Sequence, residues 1–407
     1  MAASDGIGAR VAPVPRPRNR RELILGVAAG LFSRDGYHAT SMRDVAREVG
    51  VTSTALYRHF GSKHDLLVAA VFGGLDATGA AVAGAGPNAA DVVAALARLA
   101  VDRRGAAALW QREFRYLSQD EQRELFRRFG GLVDALAGAL QRERAIDGDD
   151  ARFLAWCVLS AMASVSYHRV QVAALADLLA EIGVGILQVK LLGGDPAAVT
   201  AEPGVPGDAT VDRLIALAPT LFVSRGFAAV TMEEIGAAAG IAGPSIYHHF
   251  AGKADLLAAV VDRAGDRLDR ELAHAESTRG AADQLLQRYV AFVLAHPDLI
   301  GVLISETVNL PAEQAQRARR IQRGSLSRWA AALQAARPQL SARQAAVLVQ
   351  ATVTIVNDMA RLRAVSGRAT LPADLVAVGR AVLTQPASTR CHPGRAMSTD
   401  EGRQTEL

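Results

Sequence analysis

The 407-residue sequence predicts an all-α chain made of two tandem copies of one helical unit. Three observations carry this expectation. Half of the residues are hydrophobic but only 5% are aromatic, and Ala and Leu are abundant, which favours helices over packed strands. Residues 31–67 match residues 221–257 without a gap, at a constant offset of 190. Within each copy, apolar residues recur at helical spacing between glycines that interrupt it.

The elements follow in order. Residues 1–19 form a basic, proline-containing arm that includes Arg18, and Arg20 and Arg21 carry the positive run into the first helix. Ile24, Val27, Ala28, Leu31 and Phe32 make one apolar helix face, and Gly36 ends that helix. Ser41 opens a short second helix, with Asp44 as its capping-box partner. Met42, Val45, Ala46 and Val49 are its inward side. Gly50 supplies the turn, where a positive φ is needed. Thr52 to Phe60 is then predicted as a third helix. Leu56 and Phe60 face inward there; Thr52, Ser53, Thr54 and Arg58 face outward. Ser62, with Asp65, caps a fourth helix.

The second copy repeats this frame. Leu221-Phe222, Gly226, Met232, Gly240, Tyr247, His249, Phe250, Lys253 and Asp255-Leu256-Leu257 stand where Leu31-Phe32, Gly36, Met42, Gly50, Tyr57, His59, Phe60, Lys63 and Asp65-Leu66-Leu67 stand in the first. Pro219 is expected to kink its first helix. Further on, Glu113 and Leu117 echo Glu306 and Leu310 at an offset of 193. The expected organisation is a flexible basic arm (1–19), a helix-turn-helix unit (20–67) and a helical region (68–192). A linker (193–207) leads to a second helix-turn-helix unit (208–257), a second helical region (258–385) and a disordered tail (386–407). The linker holds four Gly and three Pro, and fully extended it spans roughly 50 Å.

A helix, a glycine turn and a short helix with a small polar outer face make a helix-turn-helix pattern, whose second helix suits a DNA major groove. The run Gly50-Val51-Thr52-Ser53-Thr54-Ala55-Leu56-Tyr57-Arg58-His59-Phe60, followed by Lys63 and Asp65-Leu66-Leu67, resembles the DNA-binding domain of the TetR family of transcriptional regulators. So does Gly240-Ile241 through Ser245-Ile246-Tyr247-His248-His249-Phe250, followed by Lys253. The resemblance covers about 50 residues in each half. It implies, for each half, a three-helix DNA-binding domain followed by a helical regulatory and dimerisation domain. The implied function is ligand-responsive, sequence-specific DNA-binding transcriptional regulation, usually repression. A ligand-sensing or interaction protein with degenerate DNA binding is the alternative. The implied partners are double-stranded DNA and a small hydrophobic effector, with no cofactor.

The family pattern places Arg43 at the groove edge, where a guanidinium meets guanine O6/N7. It aims Ser53, Thr54 and Ala55 at base edges, after Thr52 at the helix start. Ser41, Tyr57, His59 and Lys63 fall on phosphate-contacting positions. The arm residues Arg18, Arg20 and Arg21 are placed to enter the minor groove or lie along phosphates. In the second copy Thr231, Tyr247, His249 and Lys253 keep the phosphate-type positions. There Ala242-Gly243-Pro244, followed by Ser245, replaces Thr52-Ser53-Thr54, and Glu233 replaces Arg43. Residues 1–67 carry ten basic and six acidic side chains; residues 208–257 carry three and five. The first reader is therefore expected to bind DNA more strongly. Pocket candidates are Trp110, Phe114, Trp156, Tyr167 and His168 in the first half, and Tyr289, Phe292, Ser305, Glu306 and Asn357 in the second, with core packing as the competing reading.

Composition narrows the other classes. The net charge of +4 is too mild to imply nucleic acid by itself. Two cysteines, Cys157 and Cys391, exclude a disulfide scaffold and a four-cysteine zinc site and suit a reducing, cytoplasmic setting. The sequence carries no nucleophile elbow, P-loop, HExxH or dinucleotide fingerprint, so an enzyme is not expected. His248-His249 lack further ligands for a metal. No secretory signal is read at the N-terminus. The charge-free run 235–252 contains Gly, Pro and two His, so no membrane span is expected from it. Two readers in one chain allow an intrachain pseudo-dimer, which is favoured, or a homodimer with four readers.

Overall fold

The computed structural model describes residues 20–104, 109, 113–191, 209–241, 243–276 and 280–385. The linker, the tail, Arg18, Trp110 and Cys391 lie outside them, as does the rest of the arm. Among the described residues every regular element is a helix.

The first half begins with α1 (Arg20–Asp35), α2 (Met42–Val49), α3 (Ser53–Tyr57) and α4 (Lys63–Ala83). α1 buries Ile24, Ala28, Leu31 and Phe32. Gly36, at φ 87°, turns the chain out of it. Ser41 and Asp44 form the capping box of α2 in both directions. Gly50 ends α2 in the left-handed region, and the Val51 N–H returns to the Ala46 carbonyl at 2.9 Å. α3 is shorter than the Thr52–Phe60 expected from the sequence. The His59 and Phe60 amides both close back on the Leu56 carbonyl, and the chain then turns into α4.

Next come α5 (Ala89–Asp102), a 3-10 turn (Phe114–Tyr116), α6 (Gln119–Glu143), α7 (Gly148–Ala163), a second 3-10 turn (Ser164–Ser166) and α8 (Leu175–Leu187). α5 packs on α8, and α6 on α7. By length and hydropathy alone, α4 is the one helix among the described residues that could cross a membrane. It lies against α1, α5 and α6.

The second half repeats the order: α9 (Ala209–Arg225), α10 (Met232–Ala238), α11 (Gly243–Ile246), α12 (Lys253–Glu276), α13 (Ala281–Ala295), α14 (Pro297–Ser305), a 3-10 turn (Thr307–Asn309), α15 (Ala312–Ala336), α16 (Ala342–Arg361), α17 (Arg363–Ser366) and α18 (Leu371–Leu383). α9 runs through Pro219 as one helix.

Three hydrophobic clusters hold the chain. One lies under each helix-turn-helix unit, around Phe32 and Leu56 in the first and Phe222 and Ile246 in the second. The third is shared: Val158 and Ala161 of α7, Ile182 and Ile186 of α8, Val353 and Val356 of α16, and Val378 and Val382 of α18 belong to one core. α7 packs on α16 and α8 on α18, so the two halves pair within the chain across four helices. A polar clasp crosses this seam. The Arg368 guanidinium bonds Asp150 of α7 and Asp374 of α18 and lies 5.0 Å from the Phe153 ring centroid. Cys157 is buried beside it, and burial pushes its thiol pKa up.

One repeat signal escaped the sequence reading. Arg144 donates to the carbonyls of Leu187 and Val189 at 2.8 and 2.9 Å, tying the end of α6 to the end of α8. Arg337 does the same for Leu383 and Gln385 at the end of α18.

Candidate nucleic-acid interface and cavity

The first reader is built from its cap outward. The Thr52 hydroxyl oxygen accepts the Ala55 N–H at 3.2 Å, which starts α3 and satisfies one of its free amides. Leu56 is fully buried and Phe60 nearly so, which pins the inner side of α3 to the core. That leaves Thr54 exposed and Ser53 and Ala55 partly exposed at the tip. Arg43 on α2 is exposed, as are His59 and Tyr57, the last at 52%. Arg20 and Arg21 are exposed at the start of α1, and the Arg21 guanidinium sits 5.4 Å from the Phe60 ring centroid.

Four of the expected phosphate-contacting residues also serve the fold. Ser41 and Thr231 are spent on capping: each hydroxyl accepts an N–H from its box partner, Asp44 or Glu234, at 3.2 Å. Lys63 is bonded within the reader's own loop. Its Nζ donates to the carbonyls of Tyr37 (2.9 Å) and Thr40 (3.1 Å) and lies 4.4 Å from the Tyr37 ring centroid. Lys253 does likewise on Val230 (2.6 Å) and Ala228 (3.3 Å), 4.6 Å from the Phe227 ring centroid. An ammonium within reach of several loop carbonyls is held there as charge-assisted bonds form. Burial lowers both lysine pKa values.

The second reader differs at its edge. Glu233 stands in Arg43's place, and Tyr247 donates its hydroxyl to the Glu233 carboxylate at 2.9 Å. That bond raises the phenol pKa; a backbone hydrogen bond first, and then the same tyrosine bond, lowers the carboxyl pKa. Glu234 pairs with Arg225 at 2.7 Å. His249 is exposed and Ser245 partly so; α11 carries Gly243 and Pro244 in its backbone.

This repeated geometry agrees with the family comparison. Residues 24–70 and 214–260 each match the family described as "Bacterial regulatory proteins, tetR family". Two tetR-type domains stand in tandem in this chain. The chain is 42% identical over 52 residues to the HTH-type transcriptional repressor KstR2 of Mycolicibacterium smegmatis, which is 13% of this chain and 25% of that protein. It is 44% identical over 75 residues to the HTH-type transcriptional repressor KstR of Mycobacterium tuberculosis, 17% and 34% of the two. The chain thus spans about a quarter to a third of the length of these curated relatives. A tetR-family regulator from Bordetella parapertussis superposes with a TM-score of 0.39 at 18% identity, over 42% of this chain and 93% of that one.

Between the first half's regulatory helices and the second half lies a cavity of ≈ 1140 Å³. Its walls come from α4 to α7 of the first half and from α9, α14, α16 and α17 of the second. Phe114 and Trp156 line it, as does Ser305. The other described candidates do not. Tyr289 and Phe292 are buried in the shared core, where the Tyr289 hydroxyl donates to Asn357 Oδ1 at 2.8 Å. Glu306 is fully buried and accepts from Asn309 Nδ2 (2.8 Å) and the Phe227 amide (3.4 Å), bracing the second reader's loop. Tyr167 and His168 lie beyond α7, off the cavity wall. His168 Nδ1 accepts the Val170 amide at 3.2 Å, and burial, with Arg104 nearby, brings its pKa down to about 4. The sequence offered these side chains as pocket candidates without fixing which of them face open space and which are packed.

Proposed function

We propose that the chain is a ligand-responsive, sequence-specific DNA-binding transcriptional regulator, acting as a repressor in the cytoplasm, whose first reader makes the stronger contact. The observation that carries this is the outer side of α3. Thr54 stands clear, with Ser53 and Ala55 partly exposed beside it, while Leu56 locks the helix from below and Arg43 and Tyr57 flank it. Small polar side chains at a helix tip let the backbone come close to base edges in a major groove. Glu233 puts negative charge at the equivalent edge of the second reader and disfavours approach to phosphates. The preferred operator is then asymmetric. An effector with higher affinity for a state in which the readers are wrongly spaced releases the DNA.

The test is binding to genomic fragments, the chain's own upstream region included, across a salt series. A discrete protected site with affinity falling steeply with salt is the expected result. Uniform weak binding with no protected site favours the alternative, an effector-sensing protein with degenerate readers.

A further inference from the structure

We infer that the chain has one effector site shared by its two halves, and that this site takes an alkyl or acyl chain ending in an anionic group. The inference rests on the ligand-responsive reading above and names the ligand class for it.

The cavity's volume of ≈ 1140 Å³ is at the upper end of small-molecule sites, which run to roughly 1,000 Å³. Leu75, Leu99, Phe129, Trp156, Leu159 and Met162 give it a long apolar wall from the first half. Thr220 and Ser224 on α9, both exposed, and Arg361 at the end of α16 line it from the second. An occupant long enough to run from Trp156 to Ser224 touches the regulatory helices of one half and the first helix of the other half's reader.

The second half carries bulkier side chains at two corresponding positions. At the offset of 193, Leu96 and Leu136 of the first half correspond to Tyr289 and Trp329 of the second. Both aromatic side chains are buried, with ring centroids 5.6 Å apart. Where α5 carries Leu96, which lines the cavity, and α6 carries Leu136, α13 and α15 carry two bulkier, packed rings. Because both halves wall the one cavity, we expect one ligand per chain.

The head group follows from charge. Four arginines (Arg103, Arg152, Arg361 and Arg363) line the cavity against two aspartates, Asp298 and Asp358. Arg152 is paired with Asp134, and Asp298 accepts the Thr220 hydroxyl at 2.6 Å. Arg361 Nη1 is buried with no hydrogen-bond partner among the described residues. A buried cationic donor without an acceptor is costly. A carboxylate or phosphate oxygen matches a guanidinium in shape and charge.

The test is calorimetric titration of the full chain, without DNA, using dodecanoate, dodecyl phosphate and dodecan-1-ol below their aggregation limits. The expected result is one equivalent of either anion per chain, bound at least ten-fold more tightly than the alcohol. Arg361→Gln should bring the anions down to the alcohol's affinity, and Arg361→Lys should restore part of the difference. Thr78→Trp fills the cavity from the first half and Ser224→Trp from the second; each should abolish binding while circular dichroism stays that of the parent. Two equivalents per chain, an undiminished anion preference in Arg361→Gln, normal binding in folded Ser224→Trp, or no binding of any probe overturns the inference. Loss of the regulator reading would show separately, as absence of salt-dependent operator binding.

Discussion

At the scale of single residues, one ammonium group decides how each reader's loop is held. Lys63 and Lys253 direct their donors at loop carbonyls, a role that belongs to folding before it belongs to DNA. Lys63→Met and Lys253→Met should each destabilise the chain by roughly 1–2 kcal/mol, as loss of partly exposed charge-assisted bonds does, seen as a lower urea midpoint. Unchanged midpoints would mean the lysines serve only as phosphate contacts. The groove edge behaves differently. Arg43 is exposed and touches no core, so Arg43→Ala should leave stability alone and weaken operator binding by about 1–3 kcal/mol. Glu233→Arg should strengthen binding and steepen the salt slope by about 0.9. His168 adds a pH dependence. Its folded pKa of about 4 lies below the ordinary 6.5 because burial disfavours the imidazolium. Between those values the unfolded chain binds the extra proton, so the contribution is full above about 6.5 and is lost as pH falls towards 4. His168→Gln should flatten the fall in urea midpoint between pH 7 and pH 5; a slope equal to the parent's would count against this assignment.

At the scale of elements, α3 is too short to stand alone; an isolated helix needs roughly 12–15 residues in water. Thr52 caps it and Leu56 and Phe60 fasten it to a cluster distinct from the shared core. Leu56→Ala should therefore cost about 2–5 kcal/mol locally, abolish operator binding, and speed amide exchange in α2 and α3 while α7 and α16 stay protected. Uniform loss of protection would show that reader and bundle unfold together. The same locality explains what the sequence revealed. Capping residues and left-handed glycines such as Ser41, Gly50 and Gly240 act within a few positions, so the reader was legible twice over. The bundle obeys no such local rule. Nothing in the run from Val347 to Val356 says that its partners lie on α7, in the other half of the chain. For the same reason Phe114 and Trp156 were found on the cavity wall, whereas Tyr289 and Phe292, on equally apolar faces, pack the core. Arg361 was missed because a terminal arginine on a helix reads as solvent-exposed until its neighbours are known.

At the scale of the whole molecule, the shared core makes the pairing of two halves an intramolecular event. Corresponding helices of the two halves meet here: α7 with α16 and α8 with α18. The chain should therefore bind its operator as a single 42.8 kDa species by light scattering, and twice that mass at operator-binding concentrations would place the pairing between chains. Arg368 tests the seam itself. Its guanidinium pairs with Asp374, a carboxylate only 1% exposed, and it reaches across to Asp150. Removing one member of a buried pair strands the other, so Arg368→Ala should cost about 3–5 kcal/mol. Because α7, α8, α16 and α18 belong to one cluster, that loss should lower the melting temperature of a single cooperative transition. Two separated transitions would mean that each half holds its own core and that the seam is only a contact between them. The distinction bears on control, because an effector lodged between the halves can alter reader spacing only if the halves respond as one body.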